Sequence, residues 1–127
     1  MPIVLEAQGA RIFAVLNRTV AAQDFLQRLP LSACGCRRDG AYRCSVAIGR
    51  FDPLETQRGW QAGDVCLDGG QLSLRQDACP AQEAPGSTMV IGRIDRVSLP
   101  LLERLSDQVR FSFRVAQTLT ETERNAS

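Results

Sequence analysis

The stretch IVLEAQGARIFAVL (residues 3–16) decides the fold of this chain. Residues 3–8 and 11–16 are rich in aliphatic side chains and flank Gly9, whose tolerance of positive φ suits the tight connection of a hairpin. The stretch therefore predicts two neighbouring antiparallel strands.

The same arrangement returns twice further along the chain. Residues 33–38 and 42–48 flank an Asp-Gly pair at 39–40, and residues 64–68 and 71–77 flank two glycines. Both connections are strong local turn signals. The sequence therefore predicts three hairpins.

Two further strands and a short helix complete the second half. Residues 88–94 have strand composition, and in residues 109–116 apolar side chains alternate with arginine, serine and alanine, which predicts one apolar face. Residues 100–105 between them predict a helical turn or two.

A change of period marks an amphipathic helix over residues 19–29. Apolar side chains such as Phe25 fall four or five positions apart, and polar ones fill the other face. Asn17 or Thr19 can cap its start, and Pro30 cannot continue it. We expect its apolar stripe to cover one opening of a sheet or barrel.

Two long loops and a polar tail lie outside these elements. Residues 51–62, which contain the single tryptophan Trp60, and residues 78–87 show no sustained period. Loops of this length are often functional. Residues 117–127 lack an apolar face and are predicted to be a disordered tail, which leaves residues 1–116 as one domain.

Eight short strands and two short helices predict an all-β fold, a closed eight-stranded antiparallel barrel. Closure removes exposed strand edges, and a helix can cover each end. A two-sheet sandwich is the alternative.

The order of these segments resembles the bacterial and archaeal cyclophilin-like domain family over residues 3–115. The segments that carry the resemblance are TVAAQDFLQRLP (residues 19–30), GDV (residues 63–65) and IGRID (residues 91–95). The resemblance implies a cyclophilin-like barrel, and many family members have no assigned activity.

Cyclophilins catalyse prolyl cis/trans isomerisation with an arginine beside a hydrophobic pocket. The resemblance makes Tyr42, Arg43 and Phe51 the nearest counterparts and, with Trp60, the candidate ligand-binding residues. The Gln- and Gly-rich stretch and the pocket histidine of true isomerases are missing, so we expect slow isomerisation. Arg43 also fits an outward-facing strand position, and Trp60 either lines a pocket or packs beneath its own loop.

The composition excludes several reaction classes. Histidine and lysine are absent, and all fifteen basic residues are arginines. Arginine stays protonated, so catalytic triads with histidine, His-ligated zinc, Lys-bound pyridoxal phosphate and a Walker lysine are all excluded. A general base would have to be a carboxylate, a cysteine or Tyr42.

The five cysteines predict free thiols, because an odd number cannot pair completely. Cys34 and Cys36 share one face of a predicted strand, but their spacing is not that of a zinc site. We therefore expect the cysteines to be buried as small apolar side chains, and we expect no metal and no cofactor.

The charge pattern bounds the partners. A formal net charge of +1 with interspersed signs argues against nucleic acid as a partner. The sequence contains no apolar run long enough to predict a membrane span. We expect a soluble, cytoplasmic protein whose most favoured function is binding a small ligand or a peptide. The alternatives are a weak prolyl isomerase, and an interaction subunit or homodimer.

Overall fold

Nine strands and two helices account for most of the residues that the computed structural model describes, which are 1–47, 49–68 and 70–116. The strands are β1 (Pro2–Ala7), β2 (Ala10–Leu16), β3 (Leu31–Arg38), β4 (Ala41–Ser45), β5 (Gln57–Arg58), β6 (Asp64–Asp68), β7 (Gln71–Arg75), β8 (Ser87–Ile94) and β9 (Gln108–Val115). The helices are α1 (Val20–Gln27) and α2 (Leu99–Glu103). The predicted tail, residues 117–127, lies outside the described residues.

Eight of the strands close into an antiparallel barrel. Their order is β2-β1-β9-β3-β4-β7-β6-β8, and β2 pairs again with β8. The predicted eight-stranded barrel is therefore confirmed, and the two-sheet sandwich is excluded. The short β5 adds to β8 on the outside of this closed sheet.

All three predicted hairpins form. β1 pairs with β2, β3 with β4, and β6 with β7, each antiparallel. In the first two connections both turn residues have positive φ, with Gly9 at 79° and Gly40 at 74°. Two successive positive φ angles are the signature of the hairpin turn whose twist matches that of its strands.

A helix covers each opening of the barrel. α1 connects the end of β2 to the start of β3, and the hydroxyl of Thr19 caps it by accepting a hydrogen bond of 3.1 Å from the Ala22 amide. The buried Phe25 ring of α1 packs edge-on against Phe113, with 5.9 Å between centroids. α2 lies at the opposite opening between β8 and β9, where Leu102 is fully buried.

The described part of the chain holds no helix with both the length and the apolar content that a membrane crossing needs. This finding concerns helices alone.

The interior of the barrel follows the predicted alternation. On β9, Val109, Phe111 and Phe113 are buried, which confirms the apolar face for those three positions. Val115 at the end of the strand is exposed.

The two long loops differ from the prediction. Residues 51–62 contain a 3-10 turn (Pro53–Glu55) and β5, and the other loop contains a 3-10 turn at Ala81–Glu83. Trp60 and Cys79 exchange two backbone hydrogen bonds of 2.9 Å, which joins the loops. The prediction of loops without regular structure was wrong because these main-chain partners are distant in sequence.

Candidate functional site

A cavity of about 170 Å³ lies at the barrel opening that α1 covers. Its apolar wall consists of side chains from α1, β6, β8 and the segment after β4, namely Ala21, Leu67, Met89 and Phe51. Its polar wall consists of Arg50, Thr56, Asp68 and Ser87. The cavity therefore offers apolar contact together with a few polar groups, the usual make-up of a small-molecule site.

Contacts with α1 hold the segment that carries Phe51. The Val20 amide donates a hydrogen bond of 2.9 Å to Oε1 of Glu55, and the Arg28 guanidinium donates one of 2.5 Å to the Ala47 carbonyl. At Gly49 a Cβ atom would collide with the carboxylate of Asp24, so a larger residue there would have to displace the Asp24 side chain. The segment is thus fixed to α1 on both sides of the cavity residues.

Among the residues that the structure describes, Asp68 is the only carboxylate that lines the cavity. Its Oδ2 accepts a hydrogen bond from the buried hydroxyl of Thr88, and its Oδ1 accepts one of 3.2 Å from the Met89 amide. Among the described residues, Asp68 forms no ion pair. The carboxylate is therefore fixed in direction, while no arginine of the described ranges pairs with its charge.

Tyr42, a candidate ligand-binding residue, lies in the barrel core. Its side chain is fully buried, and its ring packs edge-on against Phe111 with 5.4 Å between centroids. Its hydroxyl lies 3.0 Å from the Leu105 carbonyl oxygen and 2.7 Å from that of Ser106. The Arg37 guanidinium donates to the same hydroxyl. Tyr42 thus ties β4 to the segment before β9.

Arg43 and Trp60 lie away from the cavity. Arg43 lines a separate groove on the outer face of β3 and β4, together with Cys36 and Arg38. The guanidinium of Arg75 stacks on the indole of Trp60, and its Cζ lies 3.8 Å from the centroid of the Trp60 ring. Of the four candidates, Phe51 alone lines the cavity, so the structure does not bring them together in one site.

Sequence reasoning missed Asp68, Met89 and Arg50. Asp68 ends a strand directly before a glycine pair, where an aspartate is ordinarily a turn residue. Its partner Thr88 lies twenty residues later. No local pattern therefore marks Asp68 as part of a cavity.

The five cysteines differ in exposure: two are exposed, two are buried, and Cys79 is half-buried. Cys34 and Cys36 are exposed on one face of β3, so the prediction that they are buried was wrong. They face outward because the intervening Gly35 is the residue that points into the barrel, against Phe111.

Cys44 and Cys66 are buried, as predicted. Burial is the main cause that raises the pKa of the Cys44 thiol to about 12 and that of Cys66 to about 11. Both are neutral thiols at physiological pH. Within the described ranges, no three cysteine or acidic side chains are grouped as metal ligands would be.

Comparisons with known proteins bear on the fold. No family model matches the sequence, and no curated protein matches it. The resemblance to the cyclophilin-like family therefore stays a prediction.

Two solved structures share the barrel. The structure of McbB in complex with tryptophan aligns with a TM-score of 0.69 at 12% identity, over 91% of this chain and 45% of McbB. The chain thus spans less than half of McbB. The solution structure of the hypothetical protein AF2241 from Archaeoglobus fulgidus aligns with a TM-score of 0.66 at 18% identity, over 91% of this chain and 95% of that one. At these identities the likeness shows the fold alone.

Proposed function

We propose that this barrel is a small-molecule binding module whose site is the cavity beside α1. The observation that carries the proposal is the pairing of an apolar wall, built by Phe51, Leu67 and Met89, with the oriented carboxylate of Asp68. Apolar walls supply most of the binding free energy, and a few placed polar groups fix the orientation of a ligand.

The size of the cavity limits the ligand. A cavity of about 150 Å³ lined by apolar side chains holds a benzene molecule. The present cavity, at about 170 Å³, therefore fits a ligand that buries one or two rings or an equivalent aliphatic group. Because Phe51 and Arg50 are exposed at its mouth, a larger ligand can extend outward.

The comparison with McbB supports the choice of probe. That protein, whose chain includes a barrel of this shape, was solved with tryptophan bound. Indole is the neutral ring system of tryptophan and carries no charged group. It therefore tests the apolar part of the cavity separately from its polar wall.

Binding of indole measured by isothermal calorimetry and by thermal unfolding tests the proposal. We expect wild-type protein to bind indole and to unfold at a higher temperature in its presence, because a ligand that binds only the folded state stabilises it. Phe51→Ala should abolish most of this binding. Phe13→Ala is the matched control, since Phe13 is a similarly exposed phenylalanine on the outer face of β2.

Two results would contradict the proposal. One is the absence of any heat or stabilisation with indole and with other one- and two-ring compounds of similar size. The other is equal indole affinity in Phe51→Ala and Phe13→Ala, which would place the bound indole outside the cavity.

Prolyl isomerisation is a second candidate function, and the position of Arg50 favours it. Arg50 and Phe51 together give the cavity a guanidinium beside an apolar wall, whereas Arg43 lies in another groove. The resemblance to the cyclophilin-like family supports the same chemistry. In a coupled proline-peptide assay, acceleration that Arg50→Ala abolishes and Arg43→Ala leaves intact would select this function.

The thiols support the predicted cytoplasmic location of such a module. Cys34 and Cys36 are free and exposed. Exposed free thiols persist in reducing compartments and become oxidised outside them.

A further inference from the structure

The charge of Asp68 narrows the class of ligand. We infer that the cavity selects small apolar molecules that carry a protonated amine, with Asp68 as the group that binds the amine. The inference rests on the proposed function, because it assigns the polar end of a ligand whose apolar end occupies the same cavity.

The hydrogen bonds of Asp68 leave room for a ligand. A carboxylate offers about four acceptor positions, and the Thr88 hydroxyl and the Met89 amide occupy one on each oxygen. The remaining positions accept hydrogen bonds from an ammonium group, which is donor only. Both protein donors also hold the side chain in one direction, so little side-chain entropy is lost when a ligand binds.

The unpaired charge of Asp68 favours ligands that carry an amine over ligands that carry a carboxylate. The ion pairs of the described residues join Asp24, Glu6, Asp64 and Asp107 to arginines, and Asp68 is absent from them. The carboxylate is partly buried beside an apolar wall, where the attraction of an opposite charge is less screened than in bulk water. A ligand amine would therefore be attracted, and a ligand carboxylate at the same place would be repelled.

Arg50 adds a second, independent element to the selection. It lines the same cavity, is exposed, and forms no ion pair with Asp68. A guanidinium at the mouth binds a carboxylate that extends from the ligand toward solvent. Ligands with both groups, such as amino acids, are accommodated when the amine lies at Asp68 and the carboxylate at Arg50.

Four indole compounds separate these contributions in one calorimetric series. Indole has no charged group, tryptamine carries the amine, indole-3-propionate carries the carboxylate, and tryptophan carries both. For wild-type protein we expect tryptamine to bind at least about tenfold more tightly than indole-3-propionate, a difference of about 1.4 kcal/mol. The amine pairs with the partly buried Asp68, whereas solvent screens the exposed Arg50 that pairs with the carboxylate. High salt should reduce this ratio.

Asp68→Asn is the decisive variant. Its amide can donate to the Thr88 hydroxyl and its oxygen can accept from the Met89 amide, so the local hydrogen bonds are kept while the charge is removed. We expect the ratio of tryptamine to indole-3-propionate affinity to fall at least about tenfold, to one or below, because Arg50 still attracts the carboxylate. Asp107→Asn, at a highly exposed aspartate in another groove, should retain the wild-type ratio.

A second variant keeps the test valid if Asp68→Asn unfolds. Arg50→Gln should weaken tryptophan and indole-3-propionate and leave tryptamine unchanged, because only the carboxylate contacts Arg50. A tryptamine affinity that falls in Arg50→Gln would contradict the assignment of the amine to Asp68.

The outcomes separate the inference from the proposed function. Equal affinities of tryptamine and indole-3-propionate for wild-type protein, or an Asp68→Asn variant with the wild-type ratio, overturn the inference. The proposed function stands in that case if Phe51→Ala still abolishes indole binding. Failure of all four compounds to bind overturns both.

Discussion

Outward-facing residues are exposed on one side of the barrel and buried on the other. On β2 and β3, side chains that point away from the interior, such as Phe13, Cys34 and Cys36, are exposed. On β6 and β7 the corresponding positions, Cys66 and Ser73, are almost completely buried. We call these the open side and the covered side. The strands follow the same alternation, so the difference comes from what lies above them.

The two long loops lie over the covered side. Trp60 stacks on Arg75, and the Arg58 guanidinium donates a hydrogen bond of 2.7 Å to the Ala84 carbonyl. Beneath the loops, Asp64 is 1% exposed and accepts hydrogen bonds from Arg93 and from the Gln61 amide. The outer layer of the covered side is thus polar but buried, and its groups depend on specific partners.

Thiol reactivity should show the largest difference between the two sides. Cys34 and Cys66 both face outward. Burial raises the pKa of Cys66 from an ordinary 9.0 to about 11, so at pH 8 its thiolate fraction is about 100-fold lower than that of an ordinary thiol. Burial slows its reaction further. We expect iodoacetamide to label Cys34 and Cys36 first, and peptide mapping by mass spectrometry to show Cys66 at least about 100-fold slower. Urea-unfolded protein should label all cysteines at similar rates, and equal rates in folded protein would remove the distinction between the sides.

The contribution of ion pairs to stability should show the next largest difference. Asp64 and Asp107 each pair with an arginine, at 3.0 Å and 3.8 Å, but their side chains are 2% and 84% exposed. Asp64→Ala removes two hydrogen bonds to a charged group and leaves the Gln61 amide without its partner, so we expect the free energy of unfolding to fall by about 2 kcal/mol. Asp107→Ala should cost less than about 0.5 kcal/mol. Urea denaturation measures both, and similar costs would mean that Asp64 is as well solvated as Asp107.

Alkaline pH should produce the most gradual effect, spread over several pH units. Below pH 9 the folded and unfolded states both keep the proton of Cys66, whereas between 9.0 and about 11 only the unfolded state releases it. Deprotonation then stabilises the unfolded state, so the free energy of unfolding should fall by about 1.4 kcal/mol per pH unit from this thiol. The buried Cys44 should add a similar slope up to about pH 12.

Single variants identify the source of that slope. Cys66→Ala should reduce the dependence of unfolding free energy on pH above about 9, where its thiol would otherwise titrate. Cys34→Ala, on the open side, should change the dependence much less, because Cys34 contributes only after burial to the raised pKa of Cys44. A wild-type slope in Cys66→Ala would show that the buried thiol does not contribute.

The candidate site was predicted only in part, for reasons that particular residues make clear. Phe51 was identified and lines the cavity, and Trp60 was singled out but contacts Arg75 on the covered side. Tyr42 was read as a strand residue beside a pocket, whereas its ring fills the core. Asp68 was overlooked because its orientation depends on Thr88, on a different strand.

The sequence by itself determined the barrel, the hairpins and the position of α1. Those features follow from local rules: alternation with period two, turn residues that tolerate positive φ, and a capping threonine followed by an apolar stripe. Only the tertiary structure decided which outward faces are buried and where the cavity lies. The physical reason is that burial and electrostatic partners depend on segments far apart in the chain, such as the loops joined at Trp60 and Cys79. No local pattern in a sequence records how such segments pack.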